Sequence, residues 1–378
     1  MEEFLNSSLF SLKRSAIRVY NQKAKQTPGC ISLTLGEPDF ETLQSIKDEA
    51  KLSLDRGDTH YIANNGSTLL LEKISGFEKE KHGLEYATDE IIVTVGATEG
   101  LFTALFGVIN PGDEVIVPVP AFGLYESLIT MCRGKFVPLK TEQNGFEISR
   151  EMIESTITEK TKAIILNSPT NPTGCILNRE SLENVRNAVK DRNIFVICDD
   201  VYRSLIYTDE YESFSSFGDL KKKIIVVQSF SKPYAMTGWR MGYLMADREI
   251  KSRLELVHQF TVVSTTSFSQ SACIKALETD VSPMVGEYNR RRLFVLKRLS
   301  EIGLETVEPL GGFYAFPSIE KFGISSGEFC GRMIEEVGLA AVPGSCFGSD
   351  GHIRLSYCCG ENELKEGMNR LEKFCNAL

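Results

Sequence analysis

The chain has 378 residues, 42% of them hydrophobic and 25% charged, a composition that excludes a disordered tail and leaves apolar material for a sizeable core. Asp and Glu outnumber Lys and Arg by 51 to 42, a net charge of −9, and no long basic run offsets the acidic balance. Phosphate backbones are bound by clustered cations, so nucleic acid is not an expected partner.

In chain order, the first regular signal is the β-branched run Glu90-Ile91-Ile92-Val93-Thr94-Val95, which stops at Gly96. An apolar-periodic stretch from Glu99 to Ile109 predicts a helix, and Pro111-Gly112-Asp113 predicts a turn. Val115–Val119 reads as the next strand, followed by strands at Lys162–Leu166, Ile194–Cys198 and Ile224–Gln228. Helical patterns lie between them at Arg150–Ile157 and Arg179–Arg192, and after them at Arg248–Phe260. Buried strands alternating with amphipathic helices predict an α/β fold with a mostly parallel sheet covered on both faces. A long helix is predicted at Val285–Ile302, then short strands and helices near Gly327–Val337 and Glu361–Phe374. At roughly 150 residues per domain, two or three domains are expected. The C-terminal part reads as a smaller lobe, joined by the N-terminal stretch and packed closely on the larger one.

Several chemistries are missing. No two of the 30 glycines stand in G-x-G spacing, so the dinucleotide fingerprint is absent, and no Gly-Lys-Ser or Gly-Lys-Thr marks a Walker loop. The four histidines show no metal-ligand spacing, so no metal is expected. The ten cysteines contain no C-x-x-C pair and read as reduced thiols of a cytosolic enzyme. No segment approaches the ~18 apolar residues of a membrane span, and Met1-Glu2-Glu3-Phe4-Leu5-Asn6 lacks the basic and apolar regions of a signal peptide.

Four stretches follow strands at the edge where open α/β sheets bind ligands. Ser229-Phe230-Ser231-Lys232-Pro233-Tyr234-Ala235-Met236-Thr237-Gly238-Trp239-Arg240 contains a lysine that is either a solvated loop cation or a desolvated amine able to form a Schiff base. Asn167-Ser168-Pro169-Thr170-Asn171-Pro172-Thr173-Gly174 is ordinary turn chemistry taken alone. Cys198-Asp199-Asp200-Val201-Tyr202 ends a buried strand in carboxylates that serve either a cap or a site. Val95-Gly96-Ala97-Thr98-Glu99-Gly100 exposes backbone N–H groups at a helix start, which suits a phosphate.

In this order and spacing the four resemble the class I/II aminotransferases, which use pyridoxal 5′-phosphate (PLP). The resemblance runs from Leu35-Gly36-Glu37-Pro38-Asp39-Phe40 to His352-Ile353-Arg354-Leu355-Ser356-Tyr357. It is strongest toward bacterial broad-specificity and acetyl-diaminopimelate aminotransferases. It implies fold type I: a large PLP-binding domain over 39–286 with a seven-stranded, mostly parallel sheet, and a small α+β domain from 1–38 and 287–378. It implies an enzyme moving the amino group of an L-amino acid to a 2-oxo acid in ping-pong fashion. A carbon–sulfur β-lyase on the same scaffold is the alternative reaction.

Residue by residue, Lys232 matches the Schiff-base lysine, Asp199 the carboxylate paired with the pyridinium nitrogen, and Tyr202 and Asn171 the donors to the ring's phenolic oxygen. Phe122 takes the place of the aromatic that stacks on the cofactor, with a buried helix-start aromatic as its plainer reading. Gly96, Ala97, Thr98, Ser229 and Arg240 match the phosphate donors. Arg354 matches the arginine that grips the substrate's α-carboxylate, with Gly36 and Asn171 also assigned to substrate binding, and its plainer reading is a strand-edge ion pair. Tyr61 resembles the tyrosine reaching the neighbouring subunit's phosphate, which implies a homodimer with shared sites. Three positions depart from the family pattern: Leu70-Leu71-Glu72 where Leu-Arg is common, Glu41-Thr42-Leu43 where Thr-Pro is usual, and Thr98 where aspartate-preferring relatives carry a lysine.

Overall fold

Runs of Ile and Val that are buried at every position need cover on both sides, and the chain supplies it with helices. The structure, a computed structural model, describes residues 4–12 and 14–378, so the acidic start Met1-Glu2-Glu3 lies outside the described residues. Seven strands form one sheet: β1 (Ile91–Thr94), β2 (Glu114–Val119), β3 (Lys135–Lys140), β4 (Thr161–Asn167), β5 (Phe195–Asp199), β6 (Ile224–Ser229) and β7 (Gly242–Ala246). Their spatial order is β1-β7-β6-β5-β4-β2-β3. All neighbours are parallel except β7, which runs antiparallel to both β1 and β6. One face packs on helices Thr68–His82, Arg179–Val189 and Ser267–Leu277. The other packs on Gly96–Val108, Leu124–Met131 and Arg248–Thr261.

Two strands were not among those expected from the pattern. β3 is a sheet-edge strand with exposed lysines and Pro138, whose missing N–H an edge tolerates. β7, Gly-Tyr-Leu-Met-Ala, contains no β-branched residue and takes its conformation from the ladders on both sides. The helix expected from Glu99 starts at Gly96 instead. Gly96 turns the corner at φ +69°, and a Cβ there would lie 2.7 Å from the Arg240 guanidinium. Ala97 and Thr98 therefore fall within the first helical turn.

The C-terminal part holds the long helix Ser282–Ile302 and the helices Ser326–Val337 and Glu361–Ala377. Strand Ile353–Ser356 pairs antiparallel with Val342–Pro343 on one side and Tyr314–Ala315 on the other. The N-terminal stretch joins this region: Ile31–Ser32 pairs parallel with Leu339–Ala340, and the Ser356 N–H donates to the Leu33 carbonyl at 3.0 Å. Leu33, Tyr288, Phe313, Phe329, Ile353 and Phe374 share the core beneath. Parallel pairing brings the ends of β4, β5 and β6, at Asn167, Asp199 and Ser229, to one edge of the main sheet, facing this second core.

Candidate active site

A cavity of about 320 Å³ opens at that edge. Gly36, Ala97, Thr98, Phe122, Asn171, Asp199, Tyr202, Ser229, Lys232, Arg240 and Arg354 all line it, so residues spread over more than 300 positions of sequence meet in one place. Gly96 stands just behind, against Arg240. Tyr61 does not line the cavity; its side chain is 88% exposed.

Lys232 lies in the turn after β6, where its Nζ donates to the Gly36 carbonyl at 2.7 Å. Burial pushes its ammonium down to about 8, and Arg354 and Arg240 press the same way. This is the desolvated amine of the two alternatives, one that gives up its proton near neutrality.

Asp199 ends β5 and is almost fully buried. Tyr125 donates to its Oδ2 at 2.6 Å, while Oδ1 has no partner. Burial pushes the carboxyl up to about 6, and the Tyr125 hydrogen bond opposes that rise. Asn167 fixes the strand end by donating from Nδ2 to the Asp199 carbonyl at 2.8 Å, and its Oδ1 accepts the Asn171 N–H at 2.9 Å. The Asn-Pro-Thr-Gly turn is thereby tied to the strand that carries the carboxylate.

Arg354, on strand Ile353–Ser356, is 1% exposed and forms no salt bridge among the described residues. Nη1 donates to Asn171 Oδ1 at 2.8 Å and Nη2 to the Thr34 carbonyl, while Nε has no partner. Its Cζ lies 4.5 Å from the Tyr314 ring centroid and 5.0 Å from that of Phe347. The strand-edge ion pair is therefore not what the fold provides. A buried guanidinium without a carboxylate is costly unless a ligand supplies the anion.

Tyr202 Oη lies 2.8 Å from Tyr314 Oη, and burial holds the Tyr202 phenol well above its ordinary range. Arg240 adopts the left-handed conformation at φ +53°, donates to the Thr237 carbonyl at 2.9 Å, and remains exposed for a further anion. Tyr125, Asn167 and Tyr314 are site residues that sequence reasoning did not assign. Asn167 stood inside a stretch already noted, and Tyr125 follows Phe122 by one helical turn. Nothing local marked Tyr314.

Residues 28–371 match the family model "Aminotransferase class I and II". A probable N-acetyl-LL-diaminopimelate aminotransferase of Bacillus subtilis is 38% identical over 380 residues, covering 99% of this chain and 96% of that protein. An aspartate aminotransferase of Pyrococcus abyssi is 40% identical over 353 residues, 91% of each chain. The crystal structure of aspartate aminotransferase from Thermotoga maritima superposes with a TM-score of 0.93 at 35% identity, covering 98% of this chain and all of that one (100%). The fold is that of the fold type I aminotransferases. The chain belongs to the class I and II aminotransferases, enzymes of amino-group transfer that depend on PLP.

The cavity fits that cofactor. The unpartnered, buried Asp199 Oδ1 is an acceptor for a protonated ring nitrogen, and Lys232 supplies an amine of lowered basicity. Among the described residues no cluster of His, Cys, Asp and Glu could hold a metal ion, and no helix is long and apolar enough to cross a membrane.

Proposed function

We propose that these residues divide the work of amino-group transfer as follows, with 39–286 as the large domain and 1–38 with 287–378 as the small one. PLP, when bound, is an electron sink that labilises the bonds at the substrate's Cα. Asp199 Oδ1 holds the proton on the ring nitrogen, and Tyr125 on Oδ2 keeps that carboxylate ionised and oriented. Phe122 would pack against the bound cofactor, and Tyr202 and Asn171 would supply hydrogen-bond donors to it. Ser229, Arg240 and the N–H groups at Gly96, Ala97 and Thr98 hold the phosphate.

The observation that carries this reading is Arg354, a buried guanidinium with an unpartnered Nε and no carboxylate beside it. It receives the α-carboxylate of the amino acid and orients Cα toward Lys232. Lys232 Nζ, once free of the Gly36 carbonyl, would take the Cα proton and deliver it two atoms along, to the carbon beyond the amino nitrogen. The product 2-oxo acid leaves, and a second 2-oxo acid takes its place. Relatives are named for N-acetyl-LL-diaminopimelate, aspartate and aromatic amino acids, so a panel of L-amino-acid donors defines the substrate. Conversion of bound cofactor to its aminated form, with 2-oxo acid appearing and a second acceptor needed for turnover, is the expected result. Pyruvate and ammonia released without an acceptor would replace transfer by β-elimination.

The working unit is a homodimer in which Tyr61 serves the partner's phosphate; its exposure supports this. Mixing inactive Tyr61→Ala and Lys232→Ala dimers should restore about a quarter of wild-type activity, since half the dimers are mixed and each has one intact site. The cytoplasm is the assigned compartment, in keeping with ten free cysteines.

A further inference from the structure

His258 lies outside the cavity and has no part in the reading above. It sits in the last turn of helix Arg248–Thr261 and is 0% exposed. Each ring nitrogen meets an acceptor: Nδ1 is 3.2 Å from Glu99 Oε1, and Nε2 is 2.9 Å from the Asn64 carbonyl oxygen. A carbonyl oxygen cannot donate, so Nε2 carries a hydrogen. Glu99 is already an acceptor on both oxygens, from Thr103 Oγ1 at 2.6 Å and from the Val95 N–H at 3.1 Å. The ring satisfies both neighbours only when both nitrogens carry hydrogen, as an imidazolium. The one neutral tautomer that serves Asn64, with its hydrogen on Nε2, would turn the Nδ1 lone pair toward a carboxylate in a buried place.

The two ends of this contact belong to different parts of the proposed machinery. Glu99 lies in the first turn of the helix whose start, at Ala97 and Thr98, is assigned to the phosphate. Asn64 follows Tyr61 by three residues in a stretch without regular structure. That stretch is held by few bonds: the His258 contact, Asn64 Nδ2 to the Val263 carbonyl, the Val93 N–H to the Asn65 carbonyl at 2.9 Å, and the Ser67 N–H to Gln270 Oε1 at 2.8 Å. The cradle helix is packed into the core against the main sheet. If the contact between them is lost, the loop yields and the helix stays.

We propose that His258 is a charged strut that ties the Tyr61 loop to the phosphate-binding helix of its own subunit, and so positions Tyr61 in the partner's active site. The proposal rests on the shared-site reading of Tyr61. His258 is a positioning residue whose effect crosses the dimer, although both of its contacts are internal to one chain.

The first test uses the wild-type holoenzyme. With only four histidines in the chain, nitrogen NMR resolves each ring, and loss of one signal set in His258→Gln assigns it. Two protonated-type nitrogen shifts are expected for His258; one protonated and one bare nitrogen would overturn the strut. The second test is functional. His258→Gln keeps one donor but not the charge, and its affinity for PLP should fall about tenfold, the loss expected of a charged hydrogen bond. Mixed with Lys232→Ala and assayed at limiting PLP, it should regain about a quarter of wild-type activity, because the one competent site borrows Tyr61 from the subunit with an intact strut. Glu99→Gln, which removes the charge from the other end, should behave alike and serves if His258→Gln fails to fold. The Tyr61→Ala and Lys232→Ala mixture is run alongside. If that mixture recovers and the His258 and Glu99 mixtures do not, the strut acts within its own site and the proposal falls. If none recovers under proven subunit exchange, the shared-site reading falls and takes the strut with it.

Discussion

Asp199→Asn should abolish transfer and yet remove a stability cost that the parent protein carries at neutral pH. In the folded, cofactor-free protein, burial raises the Asp199 carboxyl from 3.8 to about 6. The folded state therefore binds more protons at this site than the unfolded state does between those two values. Stability falls as pH rises through that window, and above about 6 the loss is complete. A displacement of about two pH units at ~1.36 kcal/mol each corresponds to about 3 kcal/mol. Asparagine cannot ionise, so the variant is spared this loss, and any fixed cost of an unpartnered amide cancels when two pH values are compared. The assay is urea unfolding of cofactor-free protein at about pH 4 and about pH 8. Protomer concentration must be fixed, because association contributes to apparent stability. The unfolded carboxyl is already about half ionised at pH 4, so the parent should lose about 2.5 kcal/mol more than the variant on going from the acid to the alkaline condition. Parallel behaviour of the two proteins would refute a buried, strained carboxylate, as would a larger loss in the variant.

Lys232 has its ammonium pushed down to about 8, and only the free amine attacks an aldehyde, so the rate of PLP capture by cofactor-free protein should rise with pH and level off above that value. A midpoint near the ordinary 10.5 would mean that the amine is solvated. Arg354→Lys should weaken binding of α-amino acids by about 10- to 100-fold, because an ammonium cannot reproduce the guanidinium fork, while amines without an α-carboxylate should be indifferent. Equal losses for both would make Arg354 structural. Gly36→Ala places a Cβ 1.7 Å from Tyr314 Oη, which must break the Tyr202–Tyr314 pair, and kcat/KM should fall tenfold or more by the cost of such a displacement. Gly76→Ala, whose Cβ meets nothing within 4 Å, should leave kcat/KM unchanged.

The parts of the fold legible in the sequence were those whose signal is local. β1, β2, β4, β5 and β6 are β-branched runs, and the three long C-terminal helices carry periodic apolar faces with boundaries within a few residues of those expected. β3 and β7 escaped because their strand character comes from neighbours rather than from their own residues. The same division holds in the site. Lys232, Asp199, Asn171 and Arg354 stand in compact motifs, and the fold brings them to one cavity. Tyr125, Tyr314 and His258 matter through partners 74, 112 and 159 positions away in sequence, a separation that spacing cannot reveal. Tyr61 stands in a recognisable motif too, but it is exposed in the single chain, and the role proposed for it needs a partner subunit.

The pairing of Ile31–Ser32 with Leu339–Ala340 has a consequence for how the protein is made. Contacts between segments this far apart pay a large loop-closure cost and form late. During synthesis at about 5–20 residues per second, the first segment waits roughly a quarter of a minute to a minute before its partner exists. Every strand of the main sheet has been synthesised by Ala246, more than ninety residues before Leu339, so that sheet can assemble while Ile31 and Leu33 still expose their apolar side chains. Arg354, fourteen residues beyond Ala340, is among the last of the site residues to be made. A nascent chain stalled before it would hold Asn171, Asp199 and Lys232 without Arg354, so on the proposed roles cofactor binding and substrate binding are acquired at different moments of translation.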